Sequence, residues 1–489
     1  MKVFIKNIGI FWAHVTPIDS ECFKKGKKML SKTLIEELLG IAVSTGADFA
    51  EIFAEREHAN VIRLLSGKVE SVRDTVIVGV GIRAFCGVKT YHASTSDVTR
   101  QGLLSCAAAV AGAVGDGKAQ TKIVLTPTEI VNIHPVREYP DDVLTTRKTD
   151  LLRQAEAAAR GTDEKIVQVQ GTFLDVDRQF QVANTEGLLR SDRKVRNRLA
   201  ISAVAADGND TQTGFFGPGT GRGIEYFADT MHPADVGKRA AEQALTNLRA
   251  DFCPAGAMTV AIENGFGGVI FHEACGHSLE ATSVSIGASQ MAGKLGQKIA
   301  CEKVTAIDDG TIPGAWGSYN IDDEGNPAAR NVLIEKGVLK GYIIDRLGSR
   351  RMGMPMTGSS RRENYTFEPT SRMTNTFIDN GPDKNEDIIA SIEYGLYARS
   401  MGGGSVNPLT GAFNFAVTEG YIVRNGKICE PVRGASLIGT GSQILHDIDM
   451  VGQNLLTGQG MCGSSSGSVP TDVGQPLIRV RKITVGGRS

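Results

Sequence analysis

The chain has 489 residues, with 53 Lys+Arg against 54 Asp+Glu and a net charge of −1 at pH 7. That is material for two or three packed cores, with no long-range positive field to hold nucleic acid or an anionic membrane surface. At 41% hydrophobic and 22% charged residues global disorder is excluded, and no run reaches the roughly 18 apolar residues of a membrane span.

At the N-terminus, Lys2 and Lys6 precede an apolar stretch, 8–13, which His14 ends after six residues. That is shorter than the roughly 7–15 of a signal core, and no small-residue cleavage site follows. No secretion signal is expected, so a cytoplasmic location is. Residues 1–28 hold six lysines and little apolar pattern, as a tail or start-site extension would. The eight cysteines (22, 86, 106, 253, 275, 301, 429 and 462) are scattered without a C-x-x-C pair. A disulfide framework is therefore not expected; most are read as small buried hydrophobes, with one or two left as candidate ligands.

In chain order, LIEELLGIAVSTGA from Leu34 has the apolar spacing of a helix, and 48–56, 60–67 and 75–87 alternate as strands do. Helices are predicted near 98–114, 149–160 and 234–249, with extended segments at 164–174 and 198–206. Between the last strand and helix, GFFGPGTGRG (214–223) reads as a mobile surface or interdomain loop. Past residue 250 the texture changes, since 36 of the 58 glycines fall in 251–489, which favours turns and strands over long helices. Asn425-Gly426 between two strand-like runs predicts a hairpin, and VLIEKGVLKGYII (332–344) another. The expected fold is α+β: a mixed α/β domain over 29–240, then a β-rich catalytic domain over 241–489 that carries the helix described next.

MTVAIENGFGGVIFHEACGHSLEA (258–281) reads as strand, glycine turn and helix, the helix bearing His272, Glu273 and His277 with Glu280 behind them. Two histidines at i and i+4 enclosing a glutamate form a familiar zinc-hydrolase pattern; here the spacing is one longer. At about 100° per residue an i,i+5 pair is splayed by about 140°, so a shared metal requires the helix to distort, most cheaply at Gly276. The bland alternative is two unrelated polar residues on a surface helix, although they are two of only eight histidines. Catalytic zinc usually takes three protein ligands, and the residues leave the third open among Cys275, Glu280, His446 and Cys462. Cys462 lies in GQGMCGSSSGSVP (458–470), a loop of small residues whose alternative reading is a flexible linker with an incidental thiol.

Four motifs in order, HEACGH (272–277), IDDEG (321–325) ahead of the 332–344 hairpin, RRENYTFEPTSRMTNTFI (361–378) and GQGMCGSSSGSVPTDVGQP (458–476), resemble those of the TldD/PmbA metallopeptidase family. The resemblance runs from about Met29 to the end, residues 1–28 being the one departure. It implies a dimer, a homodimer or a heterodimer with a PmbA-like paralogue, whose β-rich domains enclose a narrow proteolytic channel. By the same resemblance His272, His277 and Cys462 map onto the ligands of one Zn²⁺ per active subunit and Glu273 onto the catalytic glutamate. The intact HExxxH motif places the chain on the TldD-like side.

The expected function is therefore metal-dependent hydrolysis of short or unfolded peptides. The principal alternative is a metal-stabilised binding or modulator protein without proteolytic activity, but a structural zinc site would need four protein ligands. A serine hydrolase is excluded although Gly463-Ser464-Ser465-Ser466-Gly467 fits G-x-S-x-G: Pro470 forbids the helix that must follow, and no histidine lies beyond His446. GPGTGRG (217–223) lacks the Lys-Ser/Thr of a phosphate loop.

Overall fold

The computed structural model describes residues 29–119, 122–407 and 410–488; the expected tail, 1–28, lies outside them. The fold is α+β, as the sequence implied. An eight-stranded sheet is built on four long antiparallel neighbours, Lys68–Cys86, Phe49–Leu65, Ile166–Asn184 and Leu188–Asp207.

Two separate cores sit along these strands, which explains their length of 17 to 20 residues. The helices Lys32–Ala42 and Arg100–Val114 cover one end with Leu38, Leu39, Leu103 and Val110 against Phe53 and Ile82. Thr145–Arg160 and Pro233–Leu248 cover the other, setting Leu152 and Val236 against Phe173 and Ile201. Side chains such as fully buried Phe53 contribute about 1.5–3 kcal/mol each through burial. Between the cores the strands turn polar, and Glu55, Asp175 and Asp177 are buried there. That polar middle is why the sequence read two strands, 48–56 and 60–67, where one runs unbroken from Phe49 to Leu65.

The remaining strands lie within 251–486 and form a second eight-stranded sheet, a six-stranded one and a two-stranded pair, Ser360–Arg361 with Thr370–Ser371. Both predicted hairpins are present, turning at Asn425-Gly426 and Lys336-Gly337 with positive φ at all four residues. The predicted glycine loop at 458–470 is instead a regular hairpin, Leu456–Ser464 paired with Gly467–Gln475 at the edge of the six-stranded sheet. Its backbone pairing needs no large side chains, so its Gly/Ser composition concealed it. GPGTGRG is also ordered by contact: Gly219–Thr220 pairs with Leu188–Asp207, and Gly221 N donates to Gly314 O at 2.9 Å.

An ionic seam joins the first sheet to the later strands. Glu51 pairs with Arg83 at 3.0 Å and Arg362 at 2.9 Å, Lys194 with Asp323 at 2.7 Å, and Glu55 with Arg178 at 2.6 Å. The IDDEG segment docks here: Arg190 donates to Gly325 O at 2.6 Å, and a Cβ on Gly325 would lie 2.9 Å from Leu188 and Val182.

Candidate metal centre

The strand Gly256–Ile262 leads through a 3₁₀ turn, Gly265–Gly268, into the short helix Val269–Ala274. Val269, Ile270, Phe271 and Ala274 are buried in the core with residues of both sheets, including Phe415 and Val473. The apolar face thus anchors the helix and fixes the direction of His272, which is 2% exposed.

The helix does not continue to His277. Cys275 N still bonds Phe271 O at 3.0 Å, but the Cys275 backbone swings to φ −129°, ψ −45°, and a 3₁₀ turn, Gly276–Leu279, follows. This is the distortion the i,i+5 spacing demands. Gly276 permits it, because any Cβ there would collide with Met373 Sδ. The break brings the imidazoles to a centroid separation of 5.0 Å with planes at 80°.

Cys462 reaches this pair from the hairpin 190 residues away in sequence: its Sγ lies 3.3 Å from His272 Nε2 and 3.3 Å from His277 Nε2. All three donor atoms lie within 4.8 Å of one another, the only such His/Cys/Asp/Glu group among the described residues. A tetrahedral ion with the usual Zn–N and Zn–S lengths separates N from S by about 3.6 Å, so the donor set fits zinc in type and spacing.

The electrostatics favour a thiolate at this position. Burial alone would raise the Cys462 thiol, but His272 and His277 pull it down to about 3. Cys275 differs: burial pushes its thiol well up, and its Sγ faces Gly441 O at 3.3 Å rather than the histidines. Burial opposes protonation of His277, yet Glu280 and Cys462 hold its pKa well above the ordinary value. His446, another sequence candidate, is exposed on Gly441–Asp447 outside the cluster.

Glu273 and Glu280 flank the group in different ways. The Glu273 carboxylate is 3.8 Å from His277 Nε2 with its side chain 32% exposed, open to solvent and to the cluster. Glu280 is buried and accepts from His277 Nδ1 at 3.1 Å. Behind the hairpin, Arg372 is fully buried and donates to Cys462 O and to Gly467 O, clamping both strands. Arg372 falls inside the 361–378 motif, but nothing in local spacing connects it to residue 462.

The sequence matches three family models, described as PmbA/TldA metallopeptidase domain 1 over residues 50–113, central domain over 138–248 and C-terminal domain over 255–487. The Metalloprotease TldD homolog of Haemophilus influenzae is 35% identical over 472 residues, 94% of this chain and 97% of that protein. The Zinc metalloprotease TldD homolog of Saccharolobus solfataricus is 30% identical over 266 residues, 54% of this chain and 59% of that one. The crystal structure of TldE from Thermococcus kodakarensis superposes with a TM-score of 0.74 at 18% identity, covering 93% of this chain and 99% of that chain. At that identity the likeness is one of fold.

Proposed function

The chain belongs to the PmbA/TldD metallopeptidase family, and on that premise we propose that it is a zinc-dependent peptidase in which His272, His277 and Cys462 are the ligands and Glu273 is the base. The observation that carries this reading is the convergence of two imidazoles and a thiolate-favoured sulfur, with a separate, partly exposed carboxylate beside them. Three protein donors leave one tetrahedral position for water, which favours catalysis over a closed structural site.

His272, His277 and Cys462 would hold the ion, which would supply Lewis acidity to a water and to the scissile carbonyl. Glu273 accepts the water proton and returns it to the departing amine. Glu280 holds the His277 ring by its Nδ1, leaving Nε2 directed at the donor group. Cys462 is held by its strand pairing with Val469 and by the Arg372 clamp on its carbonyl.

Short or unfolded peptides are the proposed substrates, and a homodimer or a heterodimer with a PmbA-like paralogue is the proposed assembly; both rest on the family resemblance. No described helix is long and apolar enough to cross a membrane. Purified protein should contain about one zinc per active subunit and cleave peptides until it is chelated. A metal-free preparation that cleaves peptides equally well would contradict the proposal. Light scattering at micromolar concentration should give a mass above that of one 52.1 kDa chain.

A further inference from the structure

A cavity of about 230 Å³ lies against the hairpin that carries Cys462. Met461 and Val469 line it, and they are the chain neighbour and the cross-strand partner of Cys462. Trp316 supplies an apolar wall. The lining holds five cationic side chains against three carboxylates, Glu57, Asp323 and Glu363.

Three of the cations already have acidic partners in the seam: Lys194 has Asp323, Arg178 has Glu55, and Arg362 has Glu51. Arg196 and Arg361 have no carboxylate within ion-pair distance among the described residues; Asp472 acts on Arg196, and Asp323 and Asp308 on Arg361, only from further away. They donate only to neutral oxygens, Arg196 to the carbonyls of Val195 and Ser318, and Arg361 to Thr471 Oγ1 and the carbonyls of Met373 and Pro470. Both are more than nine-tenths buried, at 7% and 4% exposure. Arg196 Nε, Arg362 Nε and Arg178 Nη2 make no hydrogen bond within the protein. Burial, then the nearby Arg361, pushes the Arg196 pKa down to about 9; the group remains cationic at neutral pH. Two buried guanidinium groups without a close ion-pair partner are costly to the folded chain, and a guanidinium that exchanges a neutral acceptor for a carboxylate gains a charge-assisted hydrogen bond.

We propose that this cavity seats a carboxylate of the peptide substrate on Arg196 and Arg361, placing the adjoining peptide backbone at the metal centre. The inference deepens the peptidase reading and rests on it. It defines the substrate class as peptides with a carboxylate a few residues from the scissile bond, from the C-terminus or from an acidic side chain.

The test uses the zinc-loaded Glu273→Gln protein as a binding-competent trap and fluorescent hexapeptides of one sequence. The peptides carry a terminal acid or amide and, in a second arm, Glu or Gln at one internal position. Binding is read by anisotropy. The carboxylate form in one arm should bind at least about tenfold tighter than its neutral isostere, and the arm that shows the preference identifies its source. Arg196→Gln should shrink the preference to under about threefold, while Arg196→Lys should keep part of it, because an ammonium preserves charge without the fork. Equal affinity for charged and neutral peptides in both arms overturns the assignment on the unaltered cavity, however the arginine variants fold. Cleavage is scored separately with the zinc-loaded parent: no turnover of any peptide overturns the peptidase reading, whereas equal binding overturns the carboxylate site alone.

Discussion

Glu280 Oε2 lies 3.1 Å from Nδ1 of His277, and on the other side of the same ring Nε2 lies 3.3 Å from Cys462 Sγ. A carboxylate can only accept, so the contact keeps a proton on Nδ1 and makes Nε2 the nitrogen that would give up its proton to a metal at the donor group. Glu280 is thus a positioning residue for a ligand.

Replacing Glu280 should weaken zinc binding without unfolding the chain. Glu280→Gln, which retains an acceptor, is expected to cost about tenfold in affinity, and Glu280→Ala up to about a hundredfold. Competition against a chromophoric chelator measures it; unchanged affinity in Glu280→Ala would remove the positioning role.

The two cysteines nearest the site should behave oppositely. Cys462→Ser is expected to lose most bound zinc and activity, since a hydroxyl does not replace a thiolate at neutral pH. Cys275→Ala should keep both, at a stability cost of about 1 kcal/mol for the small cavity it leaves. Metal content by mass spectrometry decides, and the reverse pattern would make Cys275 the ligand.

Gly276→Ala places a methyl against Met373 Sδ at the helix break. Overpacking of this kind costs about 1–3 kcal/mol, so the denaturation midpoint should fall. The double variant with Met373→Ala should lose less than the sum of the two single changes, and simple additivity would contradict the packing argument.

Buried carboxylates give the fold a definite pH response. Burial pushes Asp472 up to about 7, and burial with Glu324 alongside pushes Asp322 up to about 7, whereas an unfolded aspartate titrates near about 3.9. Between those values the folded chain holds protons that the unfolded chain has lost. The contribution of these two groups is therefore present in full below about 3.9, is lost as pH rises toward 7, and is level above it. The change in stability of chelated protein between pH 5 and pH 8 should accordingly differ between the parent and Asp472→Asn, the parent losing more or gaining less, with each pKa unit worth at most about 1.4 kcal/mol. An identical difference in parent and variant would show that Asp472 does not titrate in this range.

What was legible in the sequence follows the range of the interactions. The helix around His272 and Glu273 declares itself locally, because a strand, glycines and an apolar face all lie within 25 residues, and the i,i+5 spacing announced a break before His277, expected at Gly276 and found one residue earlier at Cys275. Asn425-Gly426 and Lys336-Gly337 were legible for the same reason, since turn chemistry is carried by two residues. The hairpin under Cys462 was not, because Gly and Ser pair through backbone atoms that leave no side-chain pattern. The ionic seam escaped as well: Glu51 and Arg362 are 311 residues apart, and a buried charge looks like a surface charge until its partner is known. Arg361 and Arg362 were visible as a doublet inside a motif, but nothing local showed that only Arg362 has an acidic partner.

The most direct measurement pairs zinc content with peptide turnover for the parent and Glu273→Gln, each assayed as purified, after chelation and after zinc is restored. The parent should cleave only when loaded, while Glu273→Gln should bind zinc to the same extent and cleave nothing. Turnover by zinc-loaded Glu273→Gln at the parent's rate would contradict Glu273 as the base, and undiminished turnover by the chelated parent would contradict a metal-dependent site altogether.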